Sequence, residues 1–593
     1  MISDETQETD ILIIGGEGAG ARAAIEASNY KAQITVLTKG RDIAKGGATV
    51  TAAASDIAVD SRSARELLGL PGDMRDSPAT YMQDIVREGK FLNDQTLVES
   101  LVREGPRRVK ELVEWGFRFD RFGIMPGHSY PRGCYGAPST GPIMLRIFKD
   151  ILKERSNVTI VGDMFIVDLL VKENRAVGAV AINLQTGKLA VWKAKATILA
   201  TGGYQNLYPY VSSGKDLTGD GHAMAYRAGA ELIGMEFPQF INAALLWPPE
   251  WRGAAGYIGL VHYLFPKGAY LLNRLGERYL TRWDPVRMEN TTRDIGAISA
   301  MVEILDGRGS KHGGVYLSIK HLPDNFIDDL GEIVPIRNWV SAAGKDYRPL
   351  IEAMKKGLAI EIAPHCHFTM GGMRINTKCA TNIAGLYAAG ECAGGLHGAN
   401  RIAGAALTQT LVQGAIAGET AAKYALKARQ VNANEKELRK IKERVFEPLN
   451  RNEGIRPVQL RKKIQEVAFL NAGPVRDSSG LEKTIKEIET IKKQDMPRIH
   501  VDAKDPVYNL EWVEAFQAVN LLQVLELVTR SAYLRRESRG AHYRRDHTYV
   551  DNRNWLRNIV IRRGEDGRAR TATRPVIVTR IRLPPRSTKP YPG

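Results

Sequence analysis

The sequence lacks the cysteine patterns and the long apolar runs that mark several classes of protein. Its 593 residues include four cysteines and no Cys-x-x-Cys pair. We therefore expect neither a disulfide framework nor an iron–sulfur cluster or metal site held by this chain alone. No run of about 18 apolar residues is present, so no segment is predicted to span a membrane. The acidic, polar N-terminus is unlike a secretory signal, and we expect a reduced, cytoplasmic protein.

Positive charge is concentrated near the C-terminus. The chain has a formal net charge of +17, and residues 535–593 hold 16 lysines and arginines against 5 aspartates and glutamates, a net charge of +11. Such a tail raises a nucleic acid or a membrane surface as a partner. The region shows no stacking pattern of aromatics beyond Tyr533, Tyr543 and Trp555, so no nucleic-acid partner is expected.

A dinucleotide-binding unit is predicted at the N-terminus. An apolar run from Asp10 leads into glycines, an alanine-rich helical stretch and a second apolar run from Gln33, which is a strand–helix–strand pattern. The glycine fingerprint places Gly15 and Gly20 at its first and third positions, but its second position is Glu17, with Gly18 beside it. A carboxylate beside a diphosphate is unfavourable unless its side chain turns away or Gly18 re-forms the turn.

The rest of the chain divides by composition into further domains. Helical, charged stretches follow Ser77, alternating strands lie near 158–200, and residues 236–355 suit an insert. Lys/Glu-rich helical patterns fill 430–530, and the alternation of 574–583 predicts a terminal strand. The fold class is therefore α/β, a Rossmann-like dinucleotide domain with an inserted α+β capping domain, a helical bundle and a basic C-terminal region. The predicted domains are 1–235 and 356–428 (dinucleotide binding, two parts), 236–355 (capping), 429–530 (helical) and 531–593 (basic).

Six motifs occur in a fixed order along the chain. They are Ala200-Thr-Gly-Gly, Thr218-Gly-Asp-Gly-His, His367-Phe-Thr-Met-Gly-Gly, Gly385-Leu-Tyr-Ala-Ala-Gly-Glu, His397-Gly-Ala-Asn-Arg and Glu537-Ser-Arg-Gly-Ala-His. Their order resembles the flavoprotein subunits of the succinate dehydrogenase/fumarate reductase family, which includes L-aspartate oxidase. The likeness runs from about residue 8 to residue 560.

This resemblance implies FAD as the cofactor. By position, the residues that would line it are Gly15, Gly18, Gly20, Thr38, Lys39, Gly47, Thr49, Thr201, Gly202, Gly203, Asp220, Glu391, Ala406 and Leu407. The family's succinate dehydrogenases attach FAD through the histidine of a Ser-His-Thr segment, and the matching segment here is Gly47-Ala48-Thr49. Because Ala48 has no nucleophile, the FAD is expected to be non-covalent.

The resemblance also implies a substrate site that is partly altered. His367 and Arg401 match the histidine and the arginine that bind a substrate carboxylate. A short alignment places Phe265 at the family's proton-transfer arginine, Ile241 at a substrate histidine and His262 at a glutamate. Either neighbouring Arg252, His262, Tyr263 or Lys267 replaces the lost charge, or the substrate has one carboxylate and presents an apolar remainder to the aromatic residues Trp247, Trp251, Tyr263 and Phe265.

The expected activity is hydride transfer between flavin and an α,β-unsaturated carboxylate, in an electron-transport role such as anaerobic respiration. The one dinucleotide fingerprint is assigned to FAD and no further one for a nicotinamide cofactor is present, so we expect electrons to be exchanged with O2, as in L-aspartate oxidase, or with a partner. The resemblance favours an iron–sulfur subunit, which the basic tail would attract if that partner is acidic; through it the chain could be peripheral to a membrane. Two alternatives are a catalytically silent electron-relay flavoprotein, suggested by Phe265, and a flavoprotein like that of adenylylsulfate reductase.

Overall fold

A computed structural model describes residues 5–52, 56–136, 139–252, 261, 264–323, 325–326, 345–583 and 588–591. In these ranges a seven-stranded sheet forms the centre of the dinucleotide-binding domain. Its strands, in spatial order, are Val158–Val161, Ile34–Leu37, Glu5–Ile14, Leu189–Leu199, Arg175–Asn183 and Met164–Lys172, and Leu386–Ala388 also pairs with Leu189–Leu199. The predicted strand–helix–strand unit is confirmed, because Ile11–Ile14 pairs in parallel with Ile34–Leu37 around the helix Gly18–Ala27.

Small residues let two helices pack closely on this sheet. Helix Ala405–Ala425 lies against helix Gly18–Ala27, and a Cβ atom at Gly418 would come within 2.3 Å of the Ala23 carbonyl oxygen. Further α-helices in the described part of the first 430 residues are Gly47–Thr51, Ser61–Leu68, Pro78–Glu88, Gln95–Glu114, Thr140–Lys153, Asp220–Arg227, Arg293–Glu303 and Arg348–Lys355. The helical stretches predicted after Ser77 are thus present.

A separate antiparallel sheet forms the capping domain. It has the order Pro238–Trp247, Ile360–Thr369, Val315–Ser318 and Tyr270–Leu272. Its strand Ile360–Thr369 begins after the predicted boundary at residue 355 and leads directly from the cap into the motif that contains His367. A short three-stranded sheet, Ile57–Ala58, Gly133–Gly136 and Phe119–Gly123, lies in the dinucleotide-binding domain.

The C-terminal part contains the predicted helices. Their bounds are Glu435–Asn450, Pro457–Ala472, Ser478–Thr490 and Leu510–Leu534, with a short helix at Asn552–Trp555. A five-stranded sheet joins the tail to earlier segments in the order Ala393–Gly394, Gly372–Arg374, Leu232–Ile233, Arg557–Arg563 and Ala569–Pro575. Two-stranded pairs are formed by Val475–Arg476 with Tyr543–Arg544 and by Tyr549–Asp551 with Thr588–Pro590.

The prediction of a strand over 574–583 is wrong for most of that range. The strand there ends at Pro575, and the next residues are held as a loop by one side chain. The buried Gln95 accepts the backbone N–H groups of Thr579, Arg580 and Ile581 at 3.0–3.1 Å. Because these donors all point at a single oxygen, the segment cannot extend into a sheet ladder.

Part of the tail's positive charge lies inside the protein. Arg535 donates to Glu236 at 2.9 Å, and Arg539 pairs with Glu537 at 2.7 Å, with all four side chains 2% exposed or less. The exposed arginines of the tail are concentrated on the hairpin formed by Arg557–Arg563 and Ala569–Pro575. Among the helices of the described residues, none is long and apolar enough to cross a membrane.

Candidate active site

One large cavity lies at the carboxyl ends of three neighbouring strands of the main sheet. Its wall includes the residues that end or follow those strands, Ile14 to Ala19, Leu37 to Gly40 and Ala200 to Gly202. Ligands of doubly wound sheets bind at this edge. Of the predicted cofactor residues, those that line the cavity are Gly15, Gly18, Thr38, Lys39, Gly47, Thr49, Thr201, Gly202, Asp220, Glu391, Ala406 and Leu407.

Two glycines are fixed by backbone contacts under the cavity. Gly15 has φ +105°, and a Cβ atom there would lie 2.3 Å from the Ala200 carbonyl oxygen. A Cβ atom at Gly20 would lie 1.8 Å from the Gly15 carbonyl oxygen, so Gly20 allows the helix Gly18–Ala27 to approach the strand although it does not line the cavity itself. These contacts keep the helix N-terminus open toward the cavity, where its free N–H groups suit a diphosphate.

Glu17, the residue that departs from the glycine fingerprint, turns toward the loop at residue 46. Its Oε1 accepts the Gly46 N–H at 3.3 Å, and its Oε2 is buried. Burial, and then the nearby carboxylate of Asp216, raise the pKa of Glu17 to about 8. The side chain is therefore largely neutral at pH 7, which removes the expected repulsion with a phosphate.

A lysine and an aspartate form a second wall of the cavity. Lys39 donates to Asp220 at 3.0 Å and to the Asp216 carbonyl oxygen at 2.6 Å, while Asn520 from the long C-terminal helix donates to the other Asp220 oxygen at 2.8 Å. Asp216 also accepts the Gly47 N–H at 2.7 Å. This network ties the strand end at Thr38-Lys39 to the helix that begins at Asp220.

Glu391 is held by three donors. Its Oε1 accepts Gln205 Nε2 at 2.6 Å, the Thr369 N–H at 2.8 Å and the Thr369 hydroxyl at 3.1 Å, and burial raises the pKa of Glu391 to about 7. Gly203 does not line the cavity, because it packs against Thr369 and Glu391. The buried hydroxyl of Thr201 also faces this region. The open helix terminus, the carboxyl groups and this hydroxyl fit a dinucleotide with hydroxylated chains.

His367 and Arg401 meet at one end of the same cavity, as their motifs predict. His367 shares a hydrogen bond with the Ser212 hydroxyl at 2.8 Å. Arg401 is 5% exposed, lies over the ring of Phe368 at 4.5 Å, and has an Nε without a partner among the described residues. Burial, and then the charge of Arg293, lower the pKa of Arg401 to about 9.

Arg293 and Asp56 also line this end, and the sequence reasoning missed both. Arg293 begins the helix Arg293–Glu303, and its buried Nη1 has no hydrogen-bond partner among the described residues. Burial lowers the pKa of Arg293, and the charges of Asp56 and Glu88 oppose that shift. The sequence pattern at this point is the pair Arg293-Asp294 at the start of an apolar helix. A two-residue pattern is too short to identify a site.

The other predicted catalytic residues lie elsewhere or cannot be placed. Phe265 is 8% exposed and packs in the core of the capping domain with Ile241, and it does not line the cavity. Arg252 donates to the Leu246 carbonyl oxygen at 2.7 Å and is also not part of the cavity wall. His262 and Tyr263 lie outside the described residues. In the described part of the chain, Arg293 is therefore a second arginine of the cavity wall beside Arg401.

Two family models match the chain. Residues 10–407 match a model described as FAD binding domain, and residues 461–590 match one described as fumarate reductase flavoprotein C-term. Together with the cavity, the first match shows that this is an FAD-dependent oxidoreductase.

Curated relatives match over almost the whole chain. One of the subunits of the fumarate reductase (CoM/CoB) of Methanothermobacter marburgensis is 36% identical, covering 95% of this chain and 98% of the relative. The fumarate reductase flavoprotein subunit of Mycobacterium tuberculosis is 31% identical, covering 97% of this chain and 98% of the relative.

Solved structures also match over almost the whole chain. Sdh1 of Mycobacterium smegmatis in complex with UQ1 matches with a TM-score of 0.85 and 30% identity, covering 98% of this chain and 96% of that one. FrdA of Escherichia coli quinol fumarate reductase matches with a TM-score of 0.81 and 28% identity, covering 98% and 96%. Adenylylsulfate reductase of Archaeoglobus fulgidus shares the fold, with a TM-score of 0.73 and 20% identity, covering 98% of each chain. The chain belongs to the flavoprotein-subunit family of fumarate reductases and succinate dehydrogenases.

Proposed function

We propose that this protein reduces the C=C bond of an α,β-unsaturated carboxylate, with fumarate as the first candidate. One observation carries the proposal. Arg401 and Arg293 both line the cofactor cavity, and each has a buried guanidinium nitrogen without a partner among the described residues. Buried arginine nitrogens without acceptors are complementary to a carboxylate, which offers the charge-assisted hydrogen bonds that they lack.

Different residues of the cavity would bind the two ends of the substrate. Arg401, whose backbone carbonyl is held by Gln239 at 3.0 Å, would clamp one carboxylate together with His367. Ser212 would fix the ring of His367 through its hydrogen bond to Nδ1. Arg293 would bind the opposite end of the substrate and polarise the alkene, because two cations at the two ends draw electron density toward the carboxyl groups.

The cofactor would be held without a covalent bond. When bound, FAD supplies the transfer of hydride to one carbon of the substrate. Ala48 lies in the cavity wall at the position where the family's succinate dehydrogenases have a histidine, and it has no group that could attach the flavin. The phosphates would bind at the N-terminus of helix Gly18–Ala27, between Gly15 and the loop of Gly47.

Electrons would come from an iron–sulfur protein that is a separate subunit. Relatives that cover nearly the same length are named as subunits, which supports a complex. The hairpin Arg557–Arg563 and Ala569–Pro575 presents exposed arginines, including Arg562, Arg563 and Arg568, that would attract an acidic partner. The four cysteines are free and buried, which agrees with the proposed cytoplasmic location.

The electron-relay alternative loses its motivation. It was based on an apolar residue at the expected arginine position, and Arg293 provides a buried cation in the cavity wall. A function like that of adenylylsulfate reductase is not favoured by any contact among the described residues of the site.

The experiment is a single-turnover assay on the purified holoenzyme. The flavin is reduced with a limiting amount of dithionite, and fumarate, crotonate or buffer is added without oxygen. Faster flavin reoxidation with an enoate than with buffer, and formation of the saturated acid, would support the proposal. Reoxidation at the buffer rate with every enoate would contradict it.

A further inference from the structure

The loop that carries Arg401 into the cavity is held by two side chains from outside it. Gln239 Nε2 donates to the Arg401 carbonyl oxygen at 3.0 Å, as the binding scheme above uses. His128 Nε2 makes a second hydrogen bond, at 3.0 Å, with the carbonyl oxygen of Ala403, just before the helix Ala405–Ala425 begins. His128 is 8% exposed and does not line the cavity. Its bond to the loop has no part in the scheme so far.

The partners of the His128 ring determine where its proton lies. The Ala403 carbonyl oxygen can only accept, so Nε2 carries the hydrogen and donates it. Arg132 Nη1, which can only donate, lies 3.3 Å from Nδ1, so Nδ1 accepts. The ring is therefore neutral, in the tautomer that directs its one N–H at the loop. Burial lowers the pKa of His128 to about 4, which agrees with a neutral ring.

Arg132 is itself fixed by a buried group of charges. Its Nε and Nη2 donate to the two carboxylate oxygens of Asp76, each at 2.7 Å, and its Nη1 donates to Asp84 at 2.6 Å. The side chains of all three residues are 2% exposed or less. The ring of Tyr81 stacks on His128, with centroids 5.6 Å apart, and lies 4.8 Å from the Arg132 guanidinium. A bidentate pair of this kind has little rotational freedom, so it holds the imidazole in one orientation.

The backbone at Ala403 affects where the Arg401 guanidinium lies. Ala403 is two residues after Arg401, and Gly404, with φ +73°, turns the chain into the following helix. A Cβ atom at Gly404 would come within 2.7 Å of the Ala58 Cβ atom, so this turn is closely packed. A buried carbonyl group that loses its donor must find another partner, and the backbone on either side moves with it.

We propose that His128 is a positioning residue, which holds the Ala403 carbonyl group and thereby places Arg401 for binding of the substrate carboxylate. This inference rests on the proposed function, because it takes Arg401 to bind a carboxylate. His128 would act through the loop and not by contact with the substrate. Since a misplacement of about 1 Å can cost roughly 100-fold in rate, we expect loss of the bond to lower kcat/KM by about 10-fold to 100-fold.

Two variants that differ by one methylene group test the bond to Ala403. The amide of His128→Gln reaches the place of Nε2 and can donate to the Ala403 carbonyl oxygen. The amide of His128→Asn reaches only the place of Nδ1, where its oxygen can still accept from Arg132. On the holoenzyme with fumarate, in a viologen-linked assay, His128→Gln should keep most of kcat/KM and His128→Asn should show the loss.

A double-mutant cycle with Arg401→Gln separates positioning from a general structural effect. If His128 acts through Arg401, the difference between His128→Gln and His128→Asn should vanish once the guanidinium is absent. Initial rates well below saturation give kcat/KM, which stays measurable when binding is weak.

His222→Asn is the matched control for this cycle. His222 is fully buried, shares a hydrogen bond with the Gly371 carbonyl oxygen at 3.2 Å, and does not line the cavity. Its effect on kcat/KM should be the same factor with Arg401 present or replaced. FAD content and melting temperature are measured for each variant, and His128→Phe, which keeps an aromatic ring beside Tyr81, takes the place of His128→Asn if that variant fails to fold.

The results that would overturn the inference differ from those that would overturn the proposed function. Equal kcat/KM values for His128→Gln and His128→Asn would refute the role of the bond to Ala403. A difference that persists unchanged beside Arg401→Gln would show that His128 does not act through this arginine. Either result, with turnover by the unaltered protein, leaves the proposed function intact. If the unaltered protein turns over no enoate, the proposed function and the inference are both refuted.

Discussion

Replacement of Arg293 by glutamine is the most direct test of the site. The Arg293 guanidinium is buried, and its Nη1 has no partner among the described residues, so a bound carboxylate would be its natural acceptor. Loss of one member of a buried, hydrogen-bonded charge pair costs about 2–5 kcal/mol. At about 1.4 kcal/mol for each tenfold change, substrate binding should weaken roughly 30-fold to 4,000-fold.

Two measurements on the holoenzyme separate binding from folding. The Kd of fumarate is obtained from the change that binding causes in the flavin absorption spectrum, and kcat/KM from viologen-linked turnover. Arg287→Gln is the matched control, because Arg287 precedes the same helix but has a side chain 57% exposed and paired with Asp284. FAD content should stay at the level of the unaltered protein in both variants. Equal Kd and kcat/KM values for Arg293→Gln and Arg287→Gln would refute the assignment.

Three further predictions concern the cofactor and the fold. The pKa of Glu17 is raised to about 8, so its carboxyl group ionises as the pH increases through 8, and the Kd for FAD should rise over the same range. Fluorescence titration of the apoprotein with FAD should show this rise, and Glu17→Gln should abolish it. Acid precipitation should leave all flavin in the supernatant, whereas yellow colour on the pellet would show a covalent link. Gln95→Ala should remove four hydrogen bonds to the loop at 579–581, three accepted by Oε1 and one donated by Nε2 to the Ile581 carbonyl oxygen, each contributing about 0.5–1.5 kcal/mol. Trypsin should therefore cleave after Arg580 faster than in the unaltered protein, and equal rates would contradict the loop's dependence on Gln95.

The cofactor cradle was predictable because its residues are local in sequence. The glycines around residue 15 must allow a turn and a close helix–strand contact, and such requirements restrict residue type at fixed spacing. His367 and Arg401 were found for a related reason, since each lies inside a longer motif. The conflict posed by Glu17 could not be resolved from sequence, because its answer depends on Asp216 and on burial, which only the fold provides.

Arg293, at the same end of the cavity as Arg401, was not predictable in this way. Arg293 reaches the cavity because its helix packs under the sheet of the capping domain, and no short motif marks that contact. The short alignment pointed instead to Phe265, which belongs to the core of the cap.

The pairing of the tail with early segments has a consequence for biosynthesis. The short strand Leu232–Ile233 pairs with the strand Arg557–Arg563. Glu236 forms an ion pair with Arg535, a residue 299 positions later. While residue 535 and the strand Arg557–Arg563 are still inside the ribosome, Glu236 lacks its counter-charge. Glu236 lies beside the junction that leads into the cap. Stable loading of FAD should therefore follow the completion of synthesis, and truncation before residue 535 should yield a colourless protein.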